Sequence, residues 1–187
     1  MRAWWDQTEW AERLSRPWKP VSTAALVAWL AGYGLFLLYA WRSRGQPMLL
    51  DNFNMIMHEG GHMLFGWLGQ TAMIWGGTLL QLLVPLALAF YFALQRRLTG
   101  VAFGIFLFFE NFLGISVYMA DARAMQLDLV STGAPDAIIH HDWNVIFSHW
   151  QVLHKDRQIA AAVSTLGWLG MTATMAWLAW KAPQTRR

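Results

Sequence analysis

The chain has 187 residues, of which 56% are hydrophobic and 13% charged, with a net charge of +3 and no cysteine. That charge content is about half that of a soluble globular domain, which argues against a water-soluble enzyme, and the few basic residues flank apolar runs without forming a face suited to nucleic acid. Disulfides and thiolate metal sites are excluded, so any metal must be held by histidine, carboxylate or carbonyl groups.

Residues 1–20 read as an amphipathic segment lying in the membrane interface, because Trp4, Trp5, Trp10, Leu14 and Trp18 are interspersed with Asp6, Glu9, Glu12, Arg13 and Arg16. The same acids interrupt any apolar signal core, so no cleavable signal peptide is expected. The remainder, 21–187, reads as one membrane domain. Val21 to Trp41 is a run of 21 residues without a charge, about 31 Å of helix at ~1.5 Å per residue. Further spans are predicted at about 53–69, 71–94, 100–120 and 159–180, the first of these interrupted by Asn54 and a polar motif. The fold class is therefore all-α: a polytopic membrane helix bundle with about five transmembrane helices plus interfacial helices.

Residues 121–157 are the one substantial extramembrane stretch, and they hold His140, His141, His149 and His154. Within it Trp143, Ile146, Phe147 and Trp150 recur at helical spacing, which predicts a second interfacial helix. Orientation is not decided by charge. Five spans put seven basic residues on each side of the bilayer, so the positive-inside rule is balanced.

The chemistry is concentrated in His58-Glu59-Gly60-Gly61-His62. On a helix, residues four apart share a face about one turn separated, so two imidazoles can close on one tetrahedral zinc ion. Glu59 falls on the flank of that pair, where a carboxylate can take a proton from a zinc-activated water without ligating the metal. Polar residues of this kind are costly inside an apolar helix unless paired or metal-bound, so function is their default explanation. Gly60 and Gly61 each cost about 1 kcal/mol of helix propensity. Two readings fit them equally: room for a substrate backbone, or close helix packing.

With Met63-Leu-Phe-Gly66 following the motif, the chain resembles the site-2-protease-like family of intramembrane zinc metallopeptidases. The resemblance implies a third, acidic zinc ligand on a later membrane segment. Its counterpart here runs from Asn111 to Asp121, without the family's prolines or the glycine after the aspartate. Asp121 is the expected third ligand, ahead of Glu110 and His141. Asp121 lies ~16 Å along a straight helix from Glu110, so it serves best if that segment breaks or tilts. His141 and Asp142 could also fold back as a loop and supply a ligand or cover the site. Asn111 is assigned to a substrate backbone.

The function these expectations describe is hydrolysis of a peptide bond in a membrane-protein substrate by zinc-activated water. The competing one is a non-catalytic, metal-holding scaffold or accessory subunit of a larger membrane complex. The lipid bilayer is a partner in either case, and a bacterial inner (cytoplasmic) membrane is the expected location.

Overall fold

The computed structural model describes Glu12 and residues 15–43, 48–127 and 141–186, and the fold below is that of these residues. The expected interfacial segment 1–20 lies largely outside them, as do His140 and the acids at 128 and 136. Every regular element among them is helical: α1 (Thr23–Arg42), α2 (Leu49–Gly66), α3 (Gln70–Leu94), α4 (Leu98–Ala120), α5 (Asp142–His149) and α6 (Asp156–Lys181), with short 3-10 turns at Leu153–Lys155 and Ala182–Arg186.

Four of these are long and apolar enough to cross a membrane: Thr23–Arg42, Gln70–Leu94, Leu98–Ala120 and the continuous stretch Leu153–Arg186. The fifth predicted segment is a helix too, α2, of 18 residues. It is not one of the four, because Asp51, Asn52, Asn54, His58, Glu59 and His62 interrupt its apolar run. The helix that carries the chemistry is the least suited of the long helices to contact lipid all round.

The chain divides into two compact units. The first comprises residues up to 44, 85–108 and 170–187. Ser22 caps α1 by accepting the N–H of Ala25 at 3.1 Å, satisfying one of the free donors of the first turn. Its interior is aromatic, with Tyr33 stacked on Phe106 at 4.3 Å and Trp29 beside Phe103 at 5.7 Å. The Arg186 guanidinium binds Thr23 Oγ1 at 2.8 Å, and the Arg96 guanidinium covers the Trp18 ring at 4.1 Å.

The second unit comprises residues 45–84 and 109–169 and holds the motif. Its α2 begins where Asp51 Oδ2 accepts the Met48 N–H at 2.6 Å. Three residues, Trp67 to Gly69, turn the chain back into α3. Gly69 has φ of +107°, a conformation an L side chain resists. So short a connection forces α2 and the first half of α3 together, antiparallel, and glycines line the seam. A Cβ added at Gly61 would lie 2.1 Å from the Gly76 carbonyl oxygen, and one at Gly76 would lie 2.6 Å from the Gly61 carbonyl oxygen. Of the two uses open to the motif glycines, Gly61 serves close packing. At Gly60 the nearest atom to an added Cβ is a Leu80 methyl at 3.7 Å, an ordinary contact.

The expected helix with Trp143, Ile146, Phe147 and Trp150 exists as α5, and its apolar face is covered by protein. Trp143, Ile146 and Phe147 are buried against Ile74, Ile115, Met119 and Ala160, and only Trp150 is exposed. Aromatic residues at helical spacing fit a lipid interface and a protein core equally well, and here the core holds three of the four.

The seam predicts a contrast between adjacent glycines. Gly61→Ala forces backbones apart and should destabilise the protein by about 1–3 kcal/mol, the scale of overpacking. Gly60→Ala should be neutral or stabilising, by up to about 1 kcal/mol of recovered helix propensity. Thermal unfolding of both variants in detergent measures the difference, and equal behaviour would contradict the packing assigned to Gly61.

Candidate metal centre

The hairpin of α2 and α3 fixes both imidazoles from behind. His62 Nδ1 lies 2.7 Å from the carbonyl oxygen of Met73, and His58 Nδ1 lies 3.3 Å from Gln81 Oε1. A carbonyl oxygen only accepts, so His62 carries its proton on Nδ1 and donates there. The same tautomer suits His58 against the Gln81 oxygen. With Nδ1 engaged behind, Nε2 is the nitrogen of each ring turned toward the site.

Both Nε2 atoms approach one oxygen. Asp142 Oδ2 lies 2.9 Å from His58 Nε2 and 3.2 Å from His62 Nε2. Three electron-rich atoms gathered at a point need a cation among them, whether a proton or a metal. Two ligands at ~2.1 Å from a tetrahedral zinc ion stand about 3.4 Å apart, close to the separations found. Backbone and amide oxygens behind metal-binding imidazoles are the usual means of fixing tautomer and ring orientation. The residues therefore fit zinc: two histidines, one carboxylate and a coordination position left for water. Glu59 completes the group, since His58, Glu59 and His62 each place a ligand atom within 4.8 Å of one another.

Space for an ion is maintained by another glycine. A Cβ at Gly77 would sit 2.7 Å from His58 Nε2 and 2.8 Å from His62 Nε2, on the metal-facing edge of both rings. No side chain could occupy that position without entering the site.

Asp142 reaches the histidines because the turn after α4 and the start of α5 are bound to each other. Asp121 closes the turn by accepting the N–H groups of Gln126 and Leu127, each at 3.0 Å. Asn144 Nδ2 donates to the Ala122 carbonyl at 2.7 Å, and Arg123 pairs with the fully buried Asp156 at 3.0 Å through both Nε and Nη2. His141 caps α5, its Nδ1 accepting the Asn144 N–H at 3.2 Å, and its Nε2 lies 3.4 Å from Asp121 Oδ2. Tyr118 accepts the Asp142 N–H at 3.1 Å, with its ring against His141 at 4.2 Å and edge-on to His58 at 5.7 Å.

Electrostatics follow from these contacts. Burial alone would raise the Asp142 carboxyl, but the hydrogen bonds and charge of His58 and His62 outweigh it and hold the group below its ordinary value. Asp142 is accordingly an anion in its pocket. Burial pulls His141 below its ordinary value despite the nearby carboxylates of Asp121 and Asp142, so His141 is a neutral ring, as its accepting Nδ1 requires.

The expected residues are thus only partly brought together. His58, Glu59 and His62 form one group. Asp121, expected as third ligand, is turned to its own loop and to His141, while the carboxylate that reaches both imidazoles is Asp142. Glu110 is fully buried and accepts from Asn54 Nδ2 at 3.1 Å, one turn before the motif. Asn111, assigned to a substrate backbone, is 2% exposed. Sequence reasoning missed Gly77, Gln81 and the polar role of Tyr118. Gln81 carried a signal, as a lone amide in a charge-free apolar run, and so did Gly76-Gly77, a second glycine pair opposite the first. No protein-family model, curated protein or solved structure matches the chain.

Metal analysis of purified variants checks the ligand set. His58→Ala and Asp142→Ala should each lose most of about one zinc per chain, and Asp121→Asn should keep it. Gly77→Ala, which removes no ligand, should also lose it because its methyl group occupies the site. Zinc retained in Asp142→Ala and lost in Asp121→Asn would return the third ligand to Asp121.

Proposed function

We propose that the chain is an intramembrane zinc metallopeptidase, similar to the site-2-protease-like family, acting on a single-span or membrane-associated protein in a bacterial inner membrane. The observation that carries this reading is the convergence of His58 Nε2, His62 Nε2 and Asp142 Oδ2, with Glu59 alongside. That set has the composition of a catalytic zinc site, with three protein ligands and one position for water, whereas purely structural zinc is normally enclosed by four.

A zinc ion bound there supplies Lewis acidity, lowering the pKa of water toward ~7 and polarising a carbonyl. The chain's own residues supply the rest. Glu59 takes the proton from the attacking water and delivers it to the amide nitrogen as the C–N bond breaks, so one carboxylate serves first as base and then as acid. Asp142, an anion against both imidazoles, offsets the charge of the ion. Met73 and Gln81 hold the rings in one tautomer, so turnover need not reorient them. The apolar surroundings keep Glu59 and the reacting bond in a low dielectric, where each electrostatic contact is stronger than in water.

Glu59→Gln distinguishes a peptidase from a metal-holding scaffold. The amide keeps the size of the side chain but takes no proton at neutral pH, so zinc should stay bound while turnover falls by roughly 10²-fold or more. Membrane-protein fragments compared among cells with wild type, Glu59→Gln and no protein report the outcome. Identical fragments from wild type and Glu59→Gln, with a neighbouring complex disrupted only on deletion, would establish the scaffold instead.

A further inference from the structure

Hydrolysis of a peptide bond is helped by one group beyond the metal, its ligands and the base: a hydrogen-bond donor for the carbonyl oxygen as it takes up the electron pair of its double bond. The donors around the histidines can be followed one by one. The Asn144 amide is spent on the Ala122 carbonyl, the Arg123 guanidinium on Asp156, and the Asp142 N–H on Tyr118. Gln81 lies against the Nδ1 edge of His58, away from the metal-facing nitrogen. Trp143 Nε1 has no partner among the described residues, but its indole is packed against Trp75 and Phe147 in the core; the remaining donor in contact with Asp142 is a hydroxyl. The Tyr118 hydroxyl accepts the Asp142 N–H at 3.1 Å, and no acceptor among the described residues takes its own proton. A phenolic hydrogen turns freely about its C–O bond, so this one can be directed to an incoming oxygen.

We propose that Tyr118 is a catalytic hydrogen-bond donor, its O–H stabilising the oxygen of the scissile carbonyl while the water attacks; this rests on the peptidase reading of the same site. No proton leaves the tyrosine. The carbonyl π pair moves onto the substrate oxygen, the hydrogen bond to Tyr118 shortens, and the pair returns when the C–N bond breaks.

The placement is rigid enough for the task. Tyr118 is in the last turn of α4, its ring tilted onto His141 at 4.2 Å and edge-on to His58 at 5.7 Å. Because its oxygen already receives the N–H of a ligand residue, it is tied to the ligand set itself. The arrangement also gives Asp121 and His141 a purpose. Asp121 lies against the His141 ring, His141 packs against the tyrosine, and the tyrosine hydroxyl holds the Asp142 N–H. Asp121 and His141 are on this view positioning residues.

The test is Tyr118→Phe in the full-length, zinc-loaded protein, since phenylalanine keeps both ring contacts. Two probes are titrated calorimetrically: acetohydroxamate, which carries a carbonyl oxygen, and azide, which binds a metal without one. Zinc per chain and azide affinity should be unchanged, while acetohydroxamate binds roughly 10- to 100-fold more weakly, the scale of one hydrogen bond to a charged oxygen. Equal acetohydroxamate affinity in the two proteins would overturn the proposal. So would a loss of zinc or a parallel fall in azide binding, either of which makes the hydroxyl a support for Asp142 only. The peptidase reading fails separately, if Glu59→Gln leaves fragment patterns unchanged while acetohydroxamate still distinguishes Tyr118→Phe.

Discussion

The contact on which the site depends is between two stretches of backbone. Gly61 and Gly76 let α2 and α3 approach until main-chain atoms touch, and only at that distance do the Met73 carbonyl and the Gln81 amide reach the Nδ1 atoms of the two histidines. A wider seam would leave the imidazoles free to turn. Once their proton-bearing edges are fixed behind, the opposite edges must point to a common place, and the identity of the third ligand becomes a question of which carboxylate can reach it. Packing in apolar surroundings has little hydrophobic driving force of its own, so small residues and directed hydrogen bonds do the positioning.

Much of this was legible beforehand, and the legible part has a common physical basis. Apolar runs of about twenty residues announce spans by length and content alone, and α1, α3, α4 and α6 agree with the expected boundaries within a few residues. His58, Glu59 and His62 lie four residues apart or less on one helix, where spacing fixes geometry. Asp142 could not be found that way. It lies 84 residues from His58, and its position is set by contacts scattered through the turn after α4: Ala122 with Asn144, Arg123 with Asp156, Asp121 with its own loop. Asp121 was close in space for a sound reason, since it belongs to the structure that delivers the ligand. The break expected between Glu110 and Asp121 is where α4 ends, at Ala120, so that Asp121 already belongs to the turn.

The aromatic residues of α5 teach a related lesson. Trp143, Ile146 and Phe147 were read as lying on a bilayer, yet they fill the interior of the second unit. Amphipathicity reports that a helix has an apolar side and is silent on what covers it. Asp142 is the first residue of that helix, and a carboxylate at a helix start is favoured by the free N–H groups there. The burial of α5 therefore carries the aspartate inward to the histidines, and its apolar side is as much a part of the site as the motif is.

That arrangement makes a bound ion a cross-link. His58 and His62 belong to the hairpin, and Asp142 belongs to a short helix that returns from the other end of the unit, so an ion held by all three ties together segments far apart in the chain. A ligand set of this kind is complete only in the folded state, and its binding free energy is then shared with the folding of the parts it joins.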